Sequence, residues 1–471
     1  MFLNAADTDM NRPGPRPTHK GPQPEQTVKP VVEGSIGAAW ASPAFRRLYV
    51  GSTLSMVGTW LQNVVVAPFA LDLTRSASNP KGSASFVGLL TVAQLGPLLL
   101  LSIPGGVLAN RVDRKKLMIG AQTVQSIAAF GLAFVAWKAK SPLALFLAIL
   151  VIGTANAISQ PTTSSVLPEL VEPKNIGGAI SLNSATMNGS RSVAPIIVLA
   201  LSAVGVAASG FFLLNAFSYF AMIVALWKLP MRRRTPHRGS SGKAAFLDGI
   251  REARANPVVG RLLVFLFSLS LISLPFIGQF ATVVERSFGT TSKRTYLILF
   301  ATWGFGAALG ALSIGTVLVR RDKRRLVSEF FVAFAVALAA WAFAGSPAVA
   351  MPIAFALGFA YFGSTTAMSS VLQAHLDVRR RAPVMALWFM AFGGTVPFGA
   401  MWGGWSMDHW SVRGTLLIGA AWLAVVAVVA RDLPARSDAW RNASTDDEAE
   451  LAIRKAAMFD ANATVCANDP A

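Results

Sequence analysis

One cation interrupts an otherwise uncharged apolar stretch: Arg191, within the run from Asn175 to Trp227. A guanidinium placed there can hold an anionic or strongly polar ligand group, or exchange partners as a protein changes shape. It can equally be a fixed donor to backbone carbonyls and to Asn188 on the adjacent turn, or snorkel toward a membrane surface. Leaving it unpaired in hydrocarbon would cost at least about 2.5 kcal/mol, so something must offset it. Amides recur in similar apolar settings: Gln62 and Asn63, Asn156, Asn183 and Asn188, and Gln279. Such groups either line a polar cavity or bond neighbouring helices, the latter worth only about 0.6 kcal/mol each. Carboxylates able to carry protons stand only at the ends of apolar runs, Asp72 and Glu285 at nearly equivalent places. A carboxyl partly buried at a gate can titrate in the working range, although a solvated loop acid is the plainer reading of both.

Bond-making chemistry is not visible. The chain has no G-x-x-x-x-G-K-[ST] phosphate loop and no plausible nucleophile, histidine and acid set, so neither direct ATP use nor an enzyme is expected. A single cysteine, Cys466, and four histidines exclude a disulfide framework and metal cages built mainly from Cys and His. No cofactor or metal is expected.

The elements that would position these residues are membrane helices. With 53% hydrophobic and 14% charged residues in 471, the chain has too little polar surface for a water-soluble fold. Uncharged runs at 48–71, 82–110, 117–137, 141–168, 262–284, 295–319, 382–407 and 414–430 each suit one crossing. Two longer runs, 175–227 and 330–376, split at breakers near Gly205 to Gly210 and at Gly345-Ser346-Pro347, giving twelve helices. If the N-terminus is cytoplasmic, the cytoplasmic segments hold 33 of the 42 Lys and Arg and the opposite loops 8. Basic residues resist translocation, which places both termini inside and accounts for the net charge of +19 without nucleic acid. The expected organisation is a cytoplasmic tail over 1–40, a six-helix bundle over 41–230, a linker with an amphipathic helix over 231–256, a second bundle over 257–432 and a cytoplasmic tail over 433–471.

The bundles echo one another. Gly106 to Leu117 (GVLANRVDRKKL) matches Gly315 to Leu326 (GTVLVRRDKRRL), 209 residues on, with Gly, Arg, Asp, three basic residues and Leu in register. Ser42 to Leu48 (SPAFRRL) pairs with Asn256 to Leu262 (NPVVGRL), each a capping residue and a proline before an apolar run. Ser164 to Leu167 and Ser369 to Leu372 both read SSVL. Three matches in one order argue for two homologous halves, a transporter architecture. Gly106, Arg111, Asp113 and Arg114, with Gly315, Arg320, Asp322 and Lys323, are then candidate gate latches; simple topology signalling by their basic residues is compatible with that. Glu329 is expected to pair with Arg324 or Arg325.

The Gly106 to Leu117 segment resembles the signature loop of the major facilitator superfamily. GTWLQ (Gly58 to Gln62), SSVLPELV (Ser164 to Val171), NSATMNGSRSVAP (Asn183 to Pro195), FLDGIREARANP (Phe246 to Pro257), GFGAALGAL (Gly304 to Leu312) and QAHLDVRRRAPVMAL (Gln373 to Leu387) resemble its branch of siderophore exporters, drug-efflux proteins and secretion effectors. Asn110 stands where the loop usually has an acid. The resemblance implies an all-α major facilitator fold in a bacterial inner membrane, with helices one, four, seven and ten lining a cavity. It implies a monomer embedded in lipid that exports an amphipathic small molecule in exchange for protons. A membrane scaffold that keeps the fold without transport, or a lipid flippase, is the alternative.

Overall fold

The computed structural model describes residues 36–111, 113–166, 170–227, 229, 242–376 and 378–433. Nearly all of both expected tails and the Arg232-Arg233-Arg234 run lie outside the described residues, as do the surroundings of Gly106 and the side chains of Arg111 and Asn188. All regular structure among the described residues is helical.

The first half holds spans 1 (Pro43–Thr74), 2 (Ala84–Arg111), 3 (Arg114–Phe134, extended by a π-turn over Val135–Ala139), 4 (Pro142–Val166), 5 (Ile176–Ala203) and 6 (Ala208–Trp227). A separate helix, Gly242–Ala255, precedes a bend of 114° into the second half. There the continuous spans are 8 (Lys293–Gly315), 9 (Lys323–Ala342), 10 (Pro347–Ala374) and 12 (Val412–Arg431). Span 7 is interrupted: Pro257–Ser268, a π-turn over Leu269–Ser273, then Pro275–Gly278 and Phe280–Phe288. Span 11 is likewise broken, into Val378–Gly393 and Val396–His409. Proline has no N–H for the ladder, and Pro275 and Pro397 each open a new helical segment after the break. Nine helices among the described residues are long and apolar enough to cross a membrane unaided. The other three crossings of the twelve-span order are the two broken spans and span 5, whose apolar part is Gly189–Ala203.

The duplication read from sequence is visible as repeated contacts. Ser42 caps span 1 and its hydroxyl donates to the Leu170 carbonyl at 2.7 Å. Asn256 caps span 7 and its amide donates to the His375 carbonyl at 3.2 Å. Leu170 and His375 each stand three residues past a matched SSVL. Asp113 and Asp322 occupy the same place in the signature loop, and each caps the helix that follows it, spans 3 and 9. Gly153 in span 4 lies against the backbone of Ala93 and Gln94 in span 2, and Gly358 in span 10 against that of Trp303 in span 8. Gln94 and Trp303 are equally far before the two signature glycines. A side chain at either glycine would meet a carbonyl oxygen, so the two halves rely on the same close approach of helices.

Each half packs by the same plan: spans 2 and 4, 3 and 4, and 3 and 6 in the first, with 8 and 10, 9 and 10, and 9 and 12 in the second. The halves meet through span 2 on span 11 and span 5 on span 8. Gly88 lies against the Ala400 backbone and Gly304 against that of Ser192, which bring the halves close. The face carrying Pro43 and Arg431 is called the near face below, and its opposite the far face.

Candidate functional site

Arg191 lies midway along span 5, and rings from both halves bracket it. Its guanidinium carbon is 4.7 Å from the ring centroid of Trp60 in span 1 and 4.9 Å from that of Phe362 in span 10. No described carboxylate lies within ion-pair distance, and its buried Nε has no hydrogen-bond partner. A π face attracts a cation by about 0.5–1 kcal/mol when exposed and about 2 kcal/mol when dry, enough to hold the guanidinium but not to neutralise it. Among the described residues, then, no acid pairs with the guanidinium, and its Nε donor is unmatched. Behind Phe362 lies an aromatic wall: Tyr361 edge-on at 4.7 Å, and Trp303, buried, at 6.2 Å. The neighbouring Ser192 donates to the Gly304 carbonyl at 2.9 Å, joining the halves at this depth.

The amides divide. Gln62, expected as a cavity residue, is 1% exposed, and its oxygen accepts from Asn215 of span 6 at 2.7 Å. That bond is internal to the first half, so Gln62 holds helices together. Gln279 is fully buried in the break of span 7; its amide donates to the carbonyls of Ala84 at 2.8 Å and Ala400 at 3.1 Å while its oxygen accepts from Thr282. In this form it ties spans 2, 7 and 11 together across the halves. In both, an amide without water takes the nearest backbone or amide partner. Asn63, one turn past Trp60, accepts from Gln94 at 2.8 Å and remains half-buried, as does Asn156 in span 4. Asn183 reaches Met187 on the next turn.

The two end-of-span acids meet at the far face. Glu285 pairs with Arg75 at 2.5 Å, and Asp72 pairs with Arg75 at 2.6 Å and with Lys293 at 2.9 Å. Arg75 and Asp72 belong to the first half, Glu285 and Lys293 to the second, so the chain of charges crosses the seam. Tyr296 adds a cross-seam bond to the Val64 carbonyl at 3.0 Å. Both carboxylates are already committed to cations in this form. Sequence reasoning missed Arg75, yet a signal existed. At the far face, where the sequence holds few basic residues, Arg75, Arg286, Lys293 and Arg413 are each bonded.

At the near face, these signature-loop contacts each stay within one half. Asp113 accepts from the amides of Lys115 and Lys116, and Lys115 reaches the carbonyls of Trp227 and Leu229. Asp322 accepts from Arg324 through backbone and side chain, and that hydrogen-bonded guanidinium holds its carboxyl below the ordinary value. Lys323 bonds the carbonyls of Leu318 and Val319, Arg320 is exposed, and Gly315 has open space where a side chain would stand. Arg114 also has a bonded partner. Glu329 pairs with Arg321 at 3.1 Å and not with Arg324, which Asp322 already occupies.

A family model described as transmembrane secretion effector matches residues 35–456. Among curated proteins, an enterobactin exporter from Salmonella typhi is 28% identical over 339 residues, spanning 70% of this chain and 76% of its own length. Its counterpart from Escherichia coli O1:K1 is 27% identical over 345 residues, with the same coverage. Among solved structures, the nucleoside transporter NupG superposes with a TM-score of 0.65 at 16% identity, over 83% of this chain and 99% of its own. A bacterial homologue of the human lysosomal transporter Spinster gives 0.64 at 18% identity, over 83% and 96%. A D-xylose–proton symporter gives 0.64 at 12% identity, over 82% and 98%. The duplicated bundles, the signature loop in both halves and these likenesses agree: the chain belongs to the transmembrane secretion effector family of major facilitator superfamily transporters.

Proposed function

We propose that the protein exports an amphipathic small molecule bearing an anionic group, of siderophore-like or lipophilic toxic type, across the bacterial inner membrane. The observation that carries this is Arg191, a mid-span guanidinium between two rings from opposite halves with no described acid to neutralise it. A cargo with an anionic group would supply the missing charge, while its apolar body would contact Trp60, Tyr361 and Phe362. The enterobactin exporters that the chain resembles favour the outward direction. The excess of basic residues on the near side supports a cytoplasmic location for both termini.

In that orientation the far face is the outer one. Arg75, Glu285, Asp72, Lys293, Tyr296 and Gln279 tie the halves together there, the form that receives cargo from the cytoplasm. Alternating access follows from rocking one half against the other, with outward movement driven by proton antiport. The chain acts as a monomer, since each half supplies a wall of the site.

The test compares released small molecules by untargeted mass spectrometry. The cultures are cells lacking the protein and cells restored with wild type or Arg191→Ala at equal expression. A compound outside the cell only with wild type is the expected result. Equal release with Arg191→Ala would remove Arg191 from the cargo path, and no difference between any of the cultures would remove export itself. Repeating the assay with the pH gradient collapsed tests the proton coupling.

A further inference from the structure

We infer that Asp408 is a gating residue: from the second half it caps the helix of span 2 in the first, and so latches the far face shut. The inference rests on the alternating-access reading above. One Asp408 carboxylate oxygen accepts from the Ala84 amide at 3.1 Å; the other accepts from the Ser85 amide at 2.8 Å and the Ser85 hydroxyl at 2.6 Å. These amides belong to the first turn of a 28-residue helix, whose N-terminal N–H groups have no partner within the helix. Ser83 takes the next amide, that of Phe86, from within the same half. Span 2 is thus capped partly by its own chain and partly by a carboxylate some three hundred residues away.

Arg286 fixes the carboxylate. It pairs with Asp408 at 2.6 Å, reaches back to the Met407 carbonyl at 2.6 Å, and crosses to the Gly82 carbonyl at 3.0 Å. His409 is turned away, its Nδ1 on the Trp405 carbonyl and its ring stacked on the Trp405 ring. The charged group facing Asp408 from span 7 is therefore Arg286, and span 2 presents its backbone and Ser85. If the halves part at this face, three charge-assisted hydrogen bonds to one carboxylate break together, and two helix-end amides lose their partner.

The latch is one-sided, which gives it a function beyond holding the fold. By the internal repeat, span 8 corresponds to span 2 and the end of span 5 to the end of span 11. Span 8 is capped by its own Ser292, and the chain leaving span 5, Ala203, Val204 and Gly205, offers no acid. The carboxylate latch on the far face thus biases the empty protein toward the form shut at that face.

The full chain in lipid nanodiscs, with Cys466→Ser, Ser78→Cys and Thr291→Cys carrying spin labels, reports the separation of the halves at the far face by pulsed electron paramagnetic resonance. With Asp408 intact, one short distance is expected. Asp408→Ala should raise the long-distance population at least threefold, and Ser85→Ala, which removes one of the three bonds, should raise it less. Unchanged distances in a monodisperse Asp408→Ala protein would overturn the latch. If that variant is not monodisperse, an unshifted Ser85→Ala distribution would overturn it in the same way. A shift in distance with no export by wild type would uphold the latch and reject the export reading, whereas export without the shift would do the reverse.

Discussion

The Arg191 guanidinium faces the Trp60 ring at 4.7 Å, within one half, and the Phe362 ring at 4.9 Å, across the seam between halves. A cation shared in this way senses the separation of the halves, because parting them at this depth removes one of its two π faces. Lysine keeps the charge but loses the flat donor fork that stacks and binds an oxyanion in two places. Arg191→Lys is expected to retain about a tenth of transport, with most of the loss in apparent affinity, and Arg191→Ala almost none. Trp60→Leu should weaken cargo binding severalfold while leaving protein yield near normal. Concentration-dependent uptake into inverted membrane vesicles measures both, and a Trp60→Leu profile matching wild type would argue against the ring's part in the site.

Gln62 gives the opposite expectation. Its oxygen is the partner of the buried Asn215 amide, so Gln62→Leu leaves that amide unsatisfied at about 1–2 kcal/mol. The thermal unfolding midpoint in detergent should fall by a few degrees, with transport per folded molecule preserved. A large loss of transport at unchanged stability would return Gln62 to the cargo path.

These two residues show what the sequence can and cannot disclose. Both stand in apolar runs as conspicuous polar groups, and their conspicuousness marks them as functional or adhesive without separating the two. What separates them is the neighbour. Gln62 meets an amide on span 6, some 150 residues away, and among the described residues Arg191 meets the rings of Trp60 and Phe362. The fold was more legible, because helix length, charge bias and internal repetition are properties of the chain itself. The capping pair Ser42 and Asn256 was readable for the same reason: a cap acts on its own next turn. The far-face seam was not, since Arg75, Gln279 and Asp408 act on segments brought near only by the packing of one half on the other.

The Arg75–Glu285 pair, with side chains 24% and 16% exposed, is the clearest test of that seam. Arg75→Gln and Glu285→Gln should each destabilise the shut form, and their combination should destabilise it by less than the sum. The coupling energy expected for a partly exposed pair is about 0.5–1 kcal/mol. It is reduced at high salt because part of the pair meets solvent. A double-mutant cycle on thermal unfolding at low and high ionic strength gives the number, and strict additivity would mean that the pair contributes nothing to closure.

Gly153 and Gly358 supply a test of the duplication itself. Each stands where a Cβ would collide with a backbone carbonyl of the partner helix, Gln94 or Trp303, and backbone cannot rotate away as a side chain can. Overpacking of this kind costs about 1–3 kcal/mol, and the repeat predicts that Gly153→Ala and Gly358→Ala act alike. Gly120 and Gly131 in span 3 have open space at the same position, so alanine there should be neutral or slightly stabilising, as glycine is a poor helix former. Yield and unfolding temperature for the four variants check the contrast. Damage confined to one half would show that the matching contacts carry unequal loads, and damage at Gly120 equal to that at Gly153 would show that close approach is not what the latter secures.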